Sequence, residues 1–152
     1  MPSLNLDRLA LDLGGDRPSG FDAPHADLGP DLGAAHLGGS LVEIAPGSHA
    51  WPYHWEAAQE EWLLVLSGTP TVRTPQERER LSPGDLVCFP AGPEGAHQVT
   101  NETDEPCRIV MLSNREPVNV VVYPDSGKVG VRTPWLRGNY PEDAAVDYWE
   151  GE

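Results

Sequence analysis

The sequence predicts a single all-β domain, a barrel of packed antiparallel strands, and three observations carry that expectation. From Leu32 onward, short β-favourable runs are each closed by Gly, Pro, Asn or Asp and recur at the roughly 8–12-residue spacing of sandwiches and barrels. No stretch shows a 3.6-residue apolar period, and 16 glycines and 16 prolines interrupt any candidate helix. The length, 152 residues, suits one domain.

Residues 1–31 scatter Leu4, Leu6, Leu9, Leu11 and Leu13 among Asp, Gly and Pro, and read as an irregular arm able to add an edge strand to its own or a neighbouring subunit. The barrel is expected over 32–123. Its strands are 32–37 and 40–45 about Gly38-Gly39, then Glu61–Ser67, Thr71–Thr74, Arg78–Leu81, Leu86–Phe89, His97–Asn101, Arg108–Leu112 and Val118–Tyr123. Residues 124–152 form an extension with a turn at Pro124-Asp125-Ser126-Gly127 and a short run, Lys128–Val131. Its aromatics, Trp135, Tyr148 and Trp149, bury large areas only if they dock on the barrel or on a second subunit.

Acidic side chains outnumber basic ones 24 to 10, for a formal charge of −14. Such a surface repels phosphate backbones and anionic lipid, which argues against nucleic acid and membrane as partners. Cys88 and Cys107 lie inside apolar runs without CxxC spacing, so neither a disulfide framework nor a zinc knuckle is expected. With no signal-peptide pattern and no apolar run near 18 residues, the expected location is the cytoplasm. His25 and His36 read as surface or packing residues, and no serine or cysteine has a base at motif spacing.

Two stretches concentrate the chemistry. In the first, His54, Glu56, Glu60 and Glu61 precede the apolar run that Gly68 ends; in the second, Pro90-Ala91-Gly92 leads to His97 at the head of another strand. His54 and Glu56 are two apart and share a face if extended. Glu60 and Glu61 have opposite parity, so only one can point inward, and Trp62 points outward if Glu61 points in. Two imidazoles with a carboxylate form the facial arrangement of non-haem metal sites, with Glu56 as a fourth ligand or a neighbour of the metal. Tyr53 and Gln98 flank the histidines and are candidates for substrate contact.

These stretches resemble the cupin superfamily. Gly47, His54-Trp55-Glu56, Glu61 and Gly68 fill its first motif, and Gly84, Pro90-Ala91-Gly92, His97 and Asn101 its second. Pro52-Tyr53-His54-Trp55, Gly95-Ala96-His97-Gln98 and Tyr123–Lys128 look like a group of small single-domain bacterial cupins. The resemblance implies a jelly-roll barrel, a homodimer and a site in the barrel mouth that binds one divalent metal (iron, manganese, zinc or nickel) through His54, Glu56, Glu61 and His97. The first motif departs from the family at Glu56, which stands where a histidine is usual. With both carboxylates bound, a divalent ion is neutralised and becomes a weaker Lewis acid.

Two functions follow as expectations. One is a metal-dependent enzyme, an isomerase, epimerase or oxygenase of a small polar molecule such as a sugar or hydroxy/keto acid, with Glu56 moving the proton. The other is a non-catalytic module that binds or senses a small molecule, the metal being structural. An open coordination position favours the first and four protein ligands the second.

Overall fold

The computed structural model describes every residue from Met1 to Glu152. In chain order its strands are β1 (His25–Asp27), β2 (Leu37–Ile44), β3 (Trp55–Glu56), β4 (Glu61–Ser67), β5 (Thr71–Arg73), β6 (Arg78–Arg80), β7 (Leu86–Phe89), β8 (Gln98–Thr100), β9 (Cys107–Asn114), β10 (Asn119–Tyr123), β11 (Lys128–Arg132) and β12 (Arg137–Pro141). They form three antiparallel sheets, ordered β1-β2-β9-β4-β7, β12-β11-β10-β3 and β6-β5-β8. Helical structure is confined to single turns. No helix is long and apolar enough to cross a membrane.

Strand β4 shows how the sequence divides inside from outside. Leu63 and Val65 are fully buried with Ile44, Ile109, Met111 and Phe89 in the main core. Leu64 and Leu66 face the other way, where Leu4, Leu6, Leu9 and Leu11 of the arm join them around Leu28, Leu41 and Val110. The leucines of the first eleven residues thus cover an outer sheet face, and each such burial is worth roughly 1.5–3 kcal/mol when complete. Farther along that face Trp62, Leu86 and Leu112 stay exposed.

The structure corrects the reading of residues 32–45. Residues 29–32 form one helical turn, α1 (Gly29–Leu32), with Pro30 in its first turn and a left-handed Gly33 closing it. Strand β2 then runs unbroken through Gly38 and Gly39, which are not a turn. Their side-chain space belongs to the neighbouring strand: a Cβ at Gly38 would lie 3.1 Å from Ser113 Oγ, and one at Gly39 3.0 Å from Leu112 Cδ2. Both glycines pair in register with β9, so close packing and not a turn explains the dipeptide.

The arm lays an edge strand on its own chain, as the sequence suggests: β1 extends the first sheet by pairing with β2. Strand β12, which completes a hairpin with β11, lay beyond the sequence reading. Tyr148 and Trp149 pack edge-to-face on each other, centroids 4.8 Å apart, and do not dock on the sheets of their own chain. Trp135 at the hairpin tip is likewise exposed.

Candidate metal centre

His54 and His97 meet across an isolated antiparallel bridge, His54 N–H donating to His97 O (3.1 Å) and His97 N–H to His54 O (2.9 Å). Directly opposed residues project to the same face, so both rings lie side by side with centroids 4.8 Å apart. Glu61 arrives from the first position of β4, whose parity turns it inward. Glu60 stays outside, accepting a hydrogen bond from Trp62 Nε1 at 2.7 Å.

Both tautomers are set by backbone. Nδ1 of His54 lies 2.8 Å from Pro52 O and Nδ1 of His97 2.9 Å from Gly95 O. A carbonyl only accepts, so each Nδ1 carries the hydrogen and each Nε2 presents a lone pair. Those two nitrogens point at one oxygen, Glu61 Oε2, at 3.5 and 3.6 Å. Three acceptors therefore face one another with no donor between them, and Glu61 Oε2 and His97 Nε2 are buried without a hydrogen-bond partner. One proton can serve a single pair, whereas a divalent cation serves all three. The three ligand atoms lie within 4.8 Å of one another, and this chemistry fits a metal ion.

The electrostatics agree. Burial depresses the His97 pKa to about 4, with the His54 ring adding to the effect and Glu61 opposing it. Burial also pulls His54 down, but hydrogen bonding and charge from Glu61 outweigh it and the net shift is upward. Glu61 is pushed up by burial and brought below the usual carboxylate range by the two imidazoles. Aromatic packing holds the rings: Phe89 stacks on His97 (3.8 Å, 6°) and Tyr123 on His54 (6.0 Å, 28°). The approach to His97 leaves no room for error, because a Cβ on Gly95 would fall 1.8 Å from Pro90 O.

Glu56 is not a member of this trio. It comes from β3 and accepts a hydrogen bond from Asn119 Nδ2, while Asn119 Oδ1 accepts from Ala58 N–H at 3.0 Å. Burial raises the Glu56 pKa, with Asn119 opposing the shift and Glu61 adding to it. His54, Glu56 and Glu61 all line one cavity of about 840 Å³, together with Asn119, Tyr123 and Arg132.

Tyr53 and Gln98 do not line that cavity. Each is the immediate neighbour of a histidine in extended backbone and so faces the opposite side. Tyr53 is buried with its ring 4.0 Å from the Arg73 guanidinium, and Gln98 donates to Trp51 O at 3.3 Å. Among the wall residues, Asn119, Tyr123 and Arg132 come from β10 and β11, which sequence motifs alone did not single out. The only signal was Tyr123, at the head of the Tyr123–Lys128 segment.

The cupin domain family matches residues 40–113, which contain His54, Glu61 and His97. No curated protein sequence matches the chain. Among solved structures it is similar to a sugar phosphate isomerase of the cupin superfamily from Silicibacter pomeroyi, with TM-score 0.84 and 25% identity over 97% of this chain and 98% of that one. It is also similar to a protein from Acidithiobacillus ferrooxidans provisionally identified as a sugar phosphate isomerase, with TM-score 0.77 and 28% identity over 86% and 83% of the two chains. A third similar structure, the polyketide cyclase RemF from Streptomyces resistomycificus, aligns with TM-score 0.65 and 22% identity over 90% and 87%, a likeness of fold. Motif residues, matched domain and neighbouring folds agree, and the chain belongs to the cupin superfamily.

Proposed function

We propose that this cupin is a metal-dependent isomerase or epimerase of a small hydroxy-carbonyl compound. His54, Glu61 and His97 would hold one divalent ion with net local charge +1, since two neutral imidazoles and one carboxylate are its protein ligands. When bound, the ion supplies Lewis acidity toward the substrate carbonyl oxygen. The observation that carries the reading is the separation of roles: three converging acceptors for the cation, and beside them a carboxylate that is outside the trio yet lines the same cavity.

Glu56 has the attributes of a general base. Its pKa is raised by burial, which brings it toward working pH, and Asn119 fixes its orientation through Nδ2. In the proposed step the Glu56 carboxylate takes the proton from the hydroxyl-bearing carbon α to the carbonyl, leaving an enediolate with its negative charge on the former carbonyl oxygen. Returning the proton to the former carbonyl carbon, while the hydroxyl proton passes to the former carbonyl oxygen, gives the isomer, and returning it to the opposite face of the same carbon gives the epimer. No redox partner is needed, since protons and electrons balance within the substrate. The two neighbours described as sugar phosphate isomerases support this class of reaction.

The test is exchange of the substrate α-hydrogen in D₂O, followed by NMR, with manganese- or iron-loaded protein and a panel of aldoses, ketoses and hydroxy or keto acids. Turnover with deuterium incorporation is expected, and Glu56→Gln should abolish it while retaining metal. Saturable binding of a panel member without exchange or turnover under any loading would establish a binding module instead.

A further inference from the structure

The chain has ten basic residues, one of them Lys128, leaving nine arginines against 24 acidic side chains. Three of the nine, Arg115, Arg132 and Arg137, line the cavity of the metal centre. Arg73, Arg78 and Arg108 all pair with carboxylates, but none of the three cavity arginines has a carboxylate oxygen within 4.0 Å. Asp27, Glu56, Glu61 and Glu116 line the same cavity, yet none pairs directly with these guanidinium groups, which leaves three arginines without an ion-pair partner at one place.

Arg132 and Arg137 are also direct cross-strand partners, the last pair of the β11–β12 hairpin. Like charges directly opposed across an antiparallel pair are destabilising unless something negative lies between them. Arg132 is held by neutral acceptors only: Nη1 donates to Val131 O (3.0 Å) and Gly138 O (2.9 Å), and Nη2 to Asn139 Oδ1 (2.8 Å). Three of its five N–H groups are thus used for positioning, and two remain for a ligand. Arg132 lines the same cavity as Glu56 and Tyr123.

We propose that Arg132 and Arg137, with Arg115, form a subsite for an anionic oxygen group of the substrate, a phosphate monoester or a carboxylate. The position of the substrate's reacting end rests on the isomerase reading above; the anion subsite itself does not. All three arginines fall outside the matched cupin domain at 40–113. Substrate charge is therefore selected by the segment that follows the domain, while the domain itself carries the metal ligands. The overall charge of −14 repels anions at long range, which leaves this cluster as the place where an anion is favoured.

The test is calorimetric titration of the full-length, metal-stripped chain with inorganic phosphate at fixed ionic strength. Saturable binding is expected for the parent and for Arg73→Gln, whose arginine pairs with Asp125 away from the cavity. Arg132→Gln and Arg137→Gln should each weaken it by about tenfold or more, as the loss of a charge-assisted hydrogen bond implies. Without phosphate, Arg137→Gln should melt no lower than the parent, because it removes a like-charge contact; this guards against simple misfolding. A second titration compares aldose phosphates, aldonic acids and the uncharged parent sugars. Preference for the first class indicates phosphate and for the second carboxylate. Absence of saturable phosphate binding, binding by the two variants as tight as the parent's, or binding of the uncharged sugars equal to that of the anionic ones would overturn the subsite. Because binding is read without turnover, a failed isomerase assay leaves this outcome separate, and turnover of a neutral sugar by a phosphate-blind protein would leave the isomerase standing.

Discussion

His54 and His97 exchange both backbone hydrogen bonds across their bridge, and each ring is then locked by the carbonyl two residues before it, Pro52 O and Gly95 O. The pair therefore presents two Nε2 lone pairs on one face before any cation arrives. Preorganisation of this kind reduces the entropy lost on binding. Metal analysis should find close to one ion per chain, and His97→Ala or His54→Ala should weaken binding by more than the roughly 10–100-fold typical of losing a ligand's supporting partner. Unchanged metal content in both variants would remove the centre.

In the metal-free protein His97 makes stability depend on acid. Its folded pKa of about 4 lies below the unfolded value of 6.5, so its stabilising contribution is complete above pH 6.5 and is lost as pH falls towards 4. At about 1.4 kcal/mol per unit, the loss approaches ~3 kcal/mol. His54 is shifted the other way, and its contribution is complete below 6.5 and lost as pH rises through its folded value. Urea melts in EDTA should show His97→Gln losing about 2 kcal/mol less than the parent between pH 6.5 and 4.5. Parallel curves would contradict this.

Asn119 lowers the Glu56 pKa against the upward pull of burial. Asn119→Ala should therefore raise it further, moving the acid limb of kcat/KM to higher pH while metal content stays constant. A fall in rate with no displacement of the profile would mean that Asn119 acts only through its bond to Ala58 N–H.

Gly95 carries a sharper constraint than Gly92. An added Cβ at Gly95 meets Pro90 O at 1.8 Å, whereas at Gly92 there is open space and only a positive φ of 96° to strain. Gly95→Ala should cost several-fold more metal affinity than Gly92→Ala, because it displaces the carbonyl that orients His97. Its destabilisation should be about 2–4 kcal/mol against about 1–2 for Gly92→Ala. Thermal melts beside metal titrations measure both.

Trp62 and Leu112 are opposed in register across β4 and β9 and exposed together, and Leu86 is exposed beside them on the same face. This apolar surface, left open by the arm on a chain of charge −14, is the surface through which we propose that two copies associate. Sedimentation should show a dimer at micromolar concentration that Trp62→Glu with Leu112→Glu converts to monomer without loss of thermal stability. A parent that sediments as monomer would exclude it.

The sequence by itself determined the strands whose patterns are local. Glu61–Ser67 and Leu86–Phe89 have the bounds expected of them, because apolar runs between Gly and Pro punctuation need no distant partner to be recognised. It also singled out His54, Glu61 and His97, since motif spacing and strand parity are properties of the chain. Tertiary structure alone decided the rest. Gly38-Gly39 read as a break between two strands until the packing of Ser113 and Leu112 against them showed why no side chain is there. Tyr53 and Gln98 read as pocket residues because they are adjacent in sequence, yet adjacency in extended backbone sends them to the far side. Asn119, Tyr123 and Arg132, the residues that complete the cavity wall, come more than twenty residues after His97. Only the pairing of β10 with β3 and β11 brings them beside His54 and Glu56, and no local pattern of amino acids encodes that pairing.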